Sequence, residues 1–365
     1  TKVKENWGGS HAWITPAEMG GLDSPFLKVS RRTLSDSGLA SCSATLVPPH
    51  AVILSSRAPI GHLVINEVPM ATNQGCKSLI PGKDMSFKFL YYFLKRSVEL
   101  LESLGTGTTF KELSGTQLKK VEIPVPSLEE QKRIVTLLDD ATDRINELTA
   151  CYEQSRTHAD NVFTSALRAE LEGNPDWPVK TLGDVVRFES ITARPEDLGS
   201  GDVYVGLENI ASDGTLIGLG NISAETLKSN KARFSNSHVL FGKLRPYLVK
   251  VVRPDFTGVC STDILPLEPT GELTRDFLYW FMRSPKLIEA ATEASTGTTL
   301  PRVSPKTLKS FEIPVPSLEE QKRIVARLDL MRAKTSEMVA SYDAKLQAAK
   351  NLRQSILESA FAGEL

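Results

Sequence analysis

The sequence predicts an α+β protein: two mixed α/β domains separated by a long antiparallel two-helix coiled coil, arranged as a pseudo-two-fold repeat. Two observations lead there. Residues 122–135 read EIPVPSLEEQKRIV, and residues 312–325 read the same letter for letter, 190 positions on in a chain of 365. Each copy opens a run free of glycine and proline, Ser127 to Glu172 and Ser317 to Ala362, and Gly173 or Gly363 closes it. A repeat this long excludes the short-period solenoids, whose units run about 20–50 residues.

The elements follow in chain order. In the first variable region, about residues 1–121, Ala51–Ser55 and His62–Ile65 are β-rich runs between Gly, Pro and Ser turns. Phe87–Glu102 reads as an amphipathic helix. The linker Gly173–Pro178 leads into a second variable region, about 178–311, with strands at Val239–Phe241 and Tyr247–Val252 and a helix at Arg275–Ala291. The two regions share more than their ends. Thr106–Thr109 (TGTT) returns as Thr296–Thr299, Phe89–Leu94 resembles Phe277–Met282, and Trp13–Met19 aligns loosely with Tyr204–Ile210. Predicted boundaries are 1–126 and 173–316 for the domains, and 127–172 and 317–365 for the spacer helices. The second unit has about 27 residues from Trp177 to its Tyr204 motif and the first only twelve before Trp13, so the first domain is expected to lack its beginning.

The helices are marked at both ends. IPVP cannot be helical, because proline restricts itself and the residue before it. Ser127 with Glu130, and Ser317 with Glu320, make the capping-box pattern. About 45 residues at 1.5 Å each give a rod of roughly 65–70 Å. Along the first, Ile134, Leu138, Ala141, Ile145, Leu148 and Tyr152 alternate steps of four and three. Along the second, Ile324, Leu328, Met331, Thr335, Met338 and Tyr342 do the same. Such a seam demands a partner helix. The economical partner is the other copy, packed antiparallel; the alternative is a helix of another subunit. The closing motifs ALRAEL (166–171) and AFAGEL (360–365) are 194 apart, so the second rod is expected to be one turn longer, roughly 6 Å.

Composition bounds the function classes. The chain is 41% hydrophobic and 24% charged, with 43 Lys and Arg against 44 Asp and Glu. At a net charge of −1, any polyanion site must be a local patch. Cys42, Cys76, Cys151 and Cys260 form no CxxC pair, which argues against a zinc or disulfide framework and for a reducing cytoplasm. No apolar run approaches 18 residues, and the opening TKVKENWGG is no signal peptide. The five histidines show no HxxxH or HExxH spacing, so no metal site is expected.

The order of these parts resembles one family. A variable domain, a TGTT turn, PVPSLEEQKRIV and a long helix, then all of it again, is similar to the DNA-specificity subunit of type I restriction–modification systems. Ser56–Gly61 (SRAPIG) adds to the likeness; its second-unit counterpart, Gly242–Tyr247 (GKLRPY), departs from it. The resemblance implies two target-recognition domains, each reading half of a bipartite DNA sequence, and a coiled coil that sets the spacer. It implies two DNA methyltransferase (M) subunits and restriction/translocase (R) subunits as partners. It implies no catalysis and no cofactor on this chain, with S-adenosylmethionine held by the methyltransferase.

Candidate DNA contacts lie where the units diverge. Lys228, Lys231, Arg233, Lys243, Arg245, Lys250 and Arg253 follow one another without an Asp or Glu between them, and Tyr247 lies among them. In the first unit Lys28, Arg31, Arg32 and Arg57 share a stretch whose sole acid is Asp36. Runs like these suit phosphate contact and base-edge readout, or else form a solvated basic face. Thr106, Thr108, Thr296 and Thr298 offer hydroxyls and backbone N–H groups to phosphate, or simply make a turn. Lys132, Arg133, Lys322 and Arg323, at the duplicated helix starts, are candidates for binding two copies of one partner. Intrinsic methyl transfer is disfavoured, since Asn174–Trp177 (NPDW) lacks a double proline and no glycine-rich cofactor turn exists. A nuclease is disfavoured because Glu130–Lys132 and Glu320–Lys322 sit in a helix's first turn without a strand aspartate. The remaining alternative is a non-catalytic coiled-coil scaffold whose end domains bind protein.

Overall fold

Each proline-rich string ends where a long helix begins. In the computed structural model the two helices run Leu128–Glu172 and Leu318–Ala362, 45 residues apiece. The residues described are 3–22, 24–107, 111–172, 174–188, 191–198, 202–221 and 230–364. Ser127 Oγ accepts the Glu130 N–H at 3.2 Å and Ser317 Oγ accepts the Glu320 N–H at 3.3 Å. The Glu130 carboxylate engages Arg133 at 2.7 and 2.9 Å, and Glu320 engages Arg323. The helices are therefore equal, and the expected extra turn of the second is not there. Gly363, at φ +77, stops the second helix inside its closing motif, whereas ALRAEL lies wholly within the first.

The chain forms two compact units. One comprises Thr1–Glu153 with Ala344–Leu365, the other Gln154–Asp343, so each long helix gives one half to each unit. Within the first unit, Ile134, Val135 and Leu138 pack with Leu357 and Ala360, and Asn146 accepts from Arg353 at 2.5 Å. Within the second, Leu167 and Leu171 join Ile324 and Leu328 in one cluster, and Arg327 pairs with Glu170 at 2.6 Å. Rising numbers on one helix meet falling numbers on the other, which is antiparallel pairing of the chain's own copies. The heptad is only partly sealed. Leu148 and Met338 are each more than two-fifths exposed, and from Ala159 the buried side of the first helix runs through Phe163, Leu167 and Leu171.

The two units repeat one plan. In the first, Trp7–Ile14 pairs parallel with Met70–Thr72 and antiparallel with Arg32–Leu34. A four-stranded sheet has the order 26–27, 60–66, 52–56, 76–79. In the second, Val203–Val205 pairs parallel with Gly258–Cys260 inside a five-stranded sheet, and a four-stranded sheet runs 251–252, 239–242, 264–269, 186–187. The predicted helices break earlier than expected, into 87–96 and 98–103, and into 275–282 and 285–293. Tyr247–Val252 is mostly not strand. Pro246–Leu248 is a 3-10 turn and Val249 is left-handed, leaving Val251–Val252 extended.

The identical strings hold a buried bolt. Gln131 and Gln321 are both wholly buried. Gln131 donates to the carbonyls of Asp84 (2.8 Å) and Pro126 (2.9 Å) and accepts the Ser86 N–H at 2.8 Å. Gln321 donates to Glu272 (2.8 Å) and Pro316 (2.9 Å) and accepts from Thr274 at 2.8 Å. One amide thus ties the helix start to its own domain at the residue that caps the domain's principal helix. Two turns on, Asp139 takes Lys88 and the Tyr92 hydroxyl, while Asp329 takes Arg253 and the Trp280 indole.

Candidate nucleic-acid interface

The second unit builds its candidate surface from a strand end. Val239–Gly242 runs into a turn whose Lys243 carbonyl accepts the Val303 N–H at 3.1 Å. Arg245 is left-handed at φ 49 and precedes Pro246. Its N–H donates to Pro301 O at 2.8 Å and its guanidinium to Thr299 O at 3.3 Å, which locks the turn to the TGTT loop. That loop is closed by reciprocal backbone bonds between Thr296 and Arg302, both 3.0 Å, with Gly297 at φ +100. Thr296, Thr298 and Tyr247 are exposed beside it. Lys243, Arg245, Tyr247, Thr296 and Thr298 are thus brought together by the fold. Arg302 joins them, held by Asp263 at 3.0 and 3.3 Å, a bond that raises its guanidinium above the ordinary value. The sequence reading missed Arg302, which lies outside the basic run; its place two residues before the helix cap Ser304 was the only signal.

The first unit repeats the frame with different side chains. Leu113 N–H donates to Ser56 O at 2.8 Å, as Val303 does to Lys243. Thr106 and Glu112 exchange backbone bonds of 3.1 and 2.9 Å, as Thr296 and Arg302 do. Arg57 faces Glu112 at 3.8 Å. The equivalence pairs Ser56 with Lys243, Arg57 with Leu244, and Ala58 (φ 51) with Arg245. The turn arginine has therefore moved by one place between the units. Lys28, Arg31 and Arg32 belong to another part of this unit: Lys28 lies 3.8 Å from Glu67, Arg32 covers the Trp7 ring at 3.5 Å, and the Arg31 N–H is held by Glu18 at 2.7 Å. Thr108 and Lys228 fall outside the described residues.

The long basic run divides in space. Lys231 and Arg233 sit on a strand of the five-stranded sheet, with Arg233 at 3.7 Å from Asp202 and Lys231 at 5.9 Å from the Tyr204 ring. Lys250 donates to the carbonyls of Leu207 and Ile210 at 2.9 and 2.6 Å. Arg253 bridges Asp276 and Asp329 at 2.8 and 2.7 Å. These last two hold the unit together and are not free for a ligand. On the helix starts, Lys132, Arg133, Lys322 and Arg323 are all exposed. Among the described residues no group of His, Cys, Asp and Glu is placed to hold a metal, and no helix is long and apolar enough to cross a membrane.

The family model for the type I restriction modification DNA specificity domain matches residues 1–154 and again 174–345. The chain belongs to that family. Among curated relatives of this specificity family, the type I restriction enzyme MjaIX specificity subunit of Methanocaldococcus jannaschii is 27% identical over 397 residues, spanning 100% of this chain and 89% of its own. The EcoDI specificity subunit of Escherichia coli is 26% identical over 312 residues, 76% of this chain and 70% of its own. A solved chain from a study of complex assembly and conformational transition of the type I R-M system shares the fold at TM-score 0.78, 19% identity, and 97% and 92% coverage. The HsdS subunit of Thermoanaerobacter tengcongensis superposes at TM-score 0.57, with 20% identity and 97% and 91% coverage.

Proposed function

We infer that this chain is the sequence-specific DNA-recognition subunit of a type I restriction–modification complex and has no catalytic role of its own. Each unit reads one half of a bipartite target, and the observation that carries this is the displaced arginine. One backbone frame, closed by the same bonds, presents Arg57 in the first unit and Arg245 in the second. Two different base contacts on one scaffold are what two different half-sites require, because phosphate contacts position a protein while base contacts specify. Arg57, Arg245, Lys243, Tyr247 and the threonines of the two turns are the proposed DNA-facing groups. Lys28, Arg31, Arg32, Lys231 and Arg233 are proposed as phosphate contacts at the flanks.

Two methyltransferase subunits are proposed to dock on the long helices and their duplicated starts, around Lys132, Arg133, Lys322 and Arg323. Exposed apolar side chains on both helices, Leu137, Leu148, Leu330 and Met338 among them, support a protein partner there. S-adenosylmethionine would be held by the partner, and restriction subunits would join the same assembly. The protein-binding scaffold is the less favoured reading, since it leaves the divergent basic turns without a role. The deciding experiment is duplex binding by the chain with its methyltransferase at rising salt. An adaptor with 6–10 phosphate contacts loses about 10³–10⁵ in affinity between 50 and 200 mM salt. A complex that assembles yet binds no duplex at low salt would favour the scaffold.

A further inference from the structure

Each unit has a cavity between its domain's principal helix and the long helices, and the two cavities differ in charge. The second unit's holds about 770 Å³ and is lined by three arginines and four carboxylates. Its cations have partners. Arg156 pairs with Asp343 at 2.8 Å. Arg283, 9% exposed, donates to the carbonyls of Val251 and Ser212 at 3.1 and 2.8 Å.

The first unit's counterpart holds about 280 Å³. The match of Phe89–Leu94 with Phe277–Met282 puts Lys95 in the place of Arg283. The offset that relates Asp139 to Asp329 puts Thr142 and Asn146 in the places of Arg332 and Ser336. The register of the turn puts His62 where Val249 stands. Tyr91 and Arg353 complete the polar wall, and among the described residues no Asp or Glu lines it. Its donors are unmatched. Arg353 gives one terminal nitrogen to Asn146 at 2.5 Å, but its Nε is shut off from solvent without a hydrogen-bond partner. Lys95, the Tyr91 hydroxyl and the His62 ring likewise make no hydrogen bond or ion pair among the described residues. Asp139, on the adjoining helix, is taken up by Lys88 and Tyr92. Partial burial and then the Arg353 charge hold the Lys95 ammonium below its ordinary value. An enclosed donor without an acceptor, next to a second cation without a counter-charge, is unfavourable until an acceptor-rich anion enters.

We propose that this cavity binds a phosphate-class oxyanion, gripped by Arg353 and Lys95 with the Tyr91 hydroxyl and His62 as further donors. The planar guanidinium fits a pair of such oxygens, and lysine adds a compact point charge. So many convergent donors suit the several oxygens of a phosphate better than the pair on a carboxylate. The second cavity supplies its own carboxylates and takes no such ligand. The same chemistry serves a free phosphate or one in a nucleic-acid backbone, so the site stands independently of the DNA-recognition reading.

The test is calorimetric titration of inorganic phosphate into the full chain, with ionic strength held constant by chloride. One saturable site with a Kd at or below about 1 mM is expected. Lys95→Met and Arg353→Met should each weaken it at least tenfold, while Arg332→Met, in the second cavity, should leave it unchanged. In the unaltered chain, phosphate should slow acetylation of Lys95 severalfold and leave exposed Lys132 unaffected, read by mass spectrometry; no misfolded variant can mimic that protection. With phosphate binding established, a salt slope of duplex binding reduced by about one phosphate equivalent in Lys95→Met assigns the occupant to a DNA backbone, and an unchanged slope assigns a free phosphate. Absence of saturable binding below about 10 mM phosphate, binding that survives both substitutions, or equal acetylation of Lys95 with and without phosphate would overturn the assignment.

Discussion

Replacing Gln131 by methionine keeps the side chain's length and packing but removes every hydrogen bond it makes. The Ser86 N–H and the carbonyls of Asp84 and Pro126 lose their partner in a wholly buried position. A buried polar group left unpaired costs about 1–3 kcal/mol. Three such groups set a ceiling near 9 kcal/mol, and relaxation that admits water to a carbonyl lowers it; about 3–5 kcal/mol is the expected loss. Against a typical domain stability of about 5–15 kcal/mol that is a large fraction. Two units sharing two helices need not unfold in one step, so a single melting temperature is the wrong readout. Hydrogen exchange resolved by segment is the right one. Gln131→Met should cut protection about 10²–10³-fold or more around residues 84–88 and 127–135. Gln321→Met should do the same around 272–276 and 317–325, each leaving the other site unchanged. A loss below tenfold, or one spread evenly over both units, would refute the claim that each amide bolts its own helix to its own domain.

Other outcomes follow from the same geometry. The double variant Lys243→Ala, Arg245→Ala should weaken duplex binding at least tenfold and reduce the salt slope by about one to two phosphate equivalents, read from titrations at several ionic strengths. Charge reversal at Lys132, Arg133, Lys322 and Arg323 should reduce the methyltransferase stoichiometry in native mass spectrometry while far-ultraviolet circular dichroism stays unchanged; an intact complex would remove these residues from the docking surface. Burial pushes the Cys76 and Cys260 thiols up to about 12, so alkylation near neutral pH should label exposed Cys151 and spare both until the chain is denatured. Burial also lowers His238 below its ordinary 6.5, although Glu268 pulls the other way. The unfolded imidazole then takes a proton more readily than the folded one, so this contribution is full above 6.5 and is lost as the pH falls. His238→Gln should flatten the acid-side decline in the second unit's exchange protection.

The frame was legible because it is written in local rules. Proline before serine, a capping residue, no glycine for 45 residues and a terminal glycine define each helix without tertiary help. The antiparallel pairing came from the heptad. Where helix meets domain, the heptad yields, because Phe163, Leu167 and Leu171 turn towards Trp280 and its neighbours in the core. The site was legible only in part. A run of basic residues without acidic neighbours looks like a ligand face in sequence. In space, Asp276 and Asp329 reach Arg253 from 23 and 76 residues away, and two carbonyls reach Lys250 from about 40. Charge compensation across the fold is invisible to a linear scan. Conversely Arg302 is isolated in sequence and joins the turn through backbone pairing with Thr296 and its ion pair with Asp263.

Repetition misled in one respect and instructed in another. An unequal offset between the closing motifs, 194 against 190, was read as helix length, yet the four extra residues before the last motif merely carried it across the helix end. Equal letters were read as equal structure, yet EIPVP is sealed in one unit and open in the other, because burial belongs to the neighbour as much as to the residue. The same holds for the turn arginines. SRAPIG and GKLRPY share a proline and a strained residue before it, and the backbone bonds from Leu113 and Val303 fix the register that letters alone leave one step out. A duplicated fold therefore shows where selection has acted through its mismatches of environment. The bolts Gln131 and Gln321 match in every bond and carry the frame, while Arg57 and Arg245 differ by one position and are the pair proposed to distinguish two half-sites.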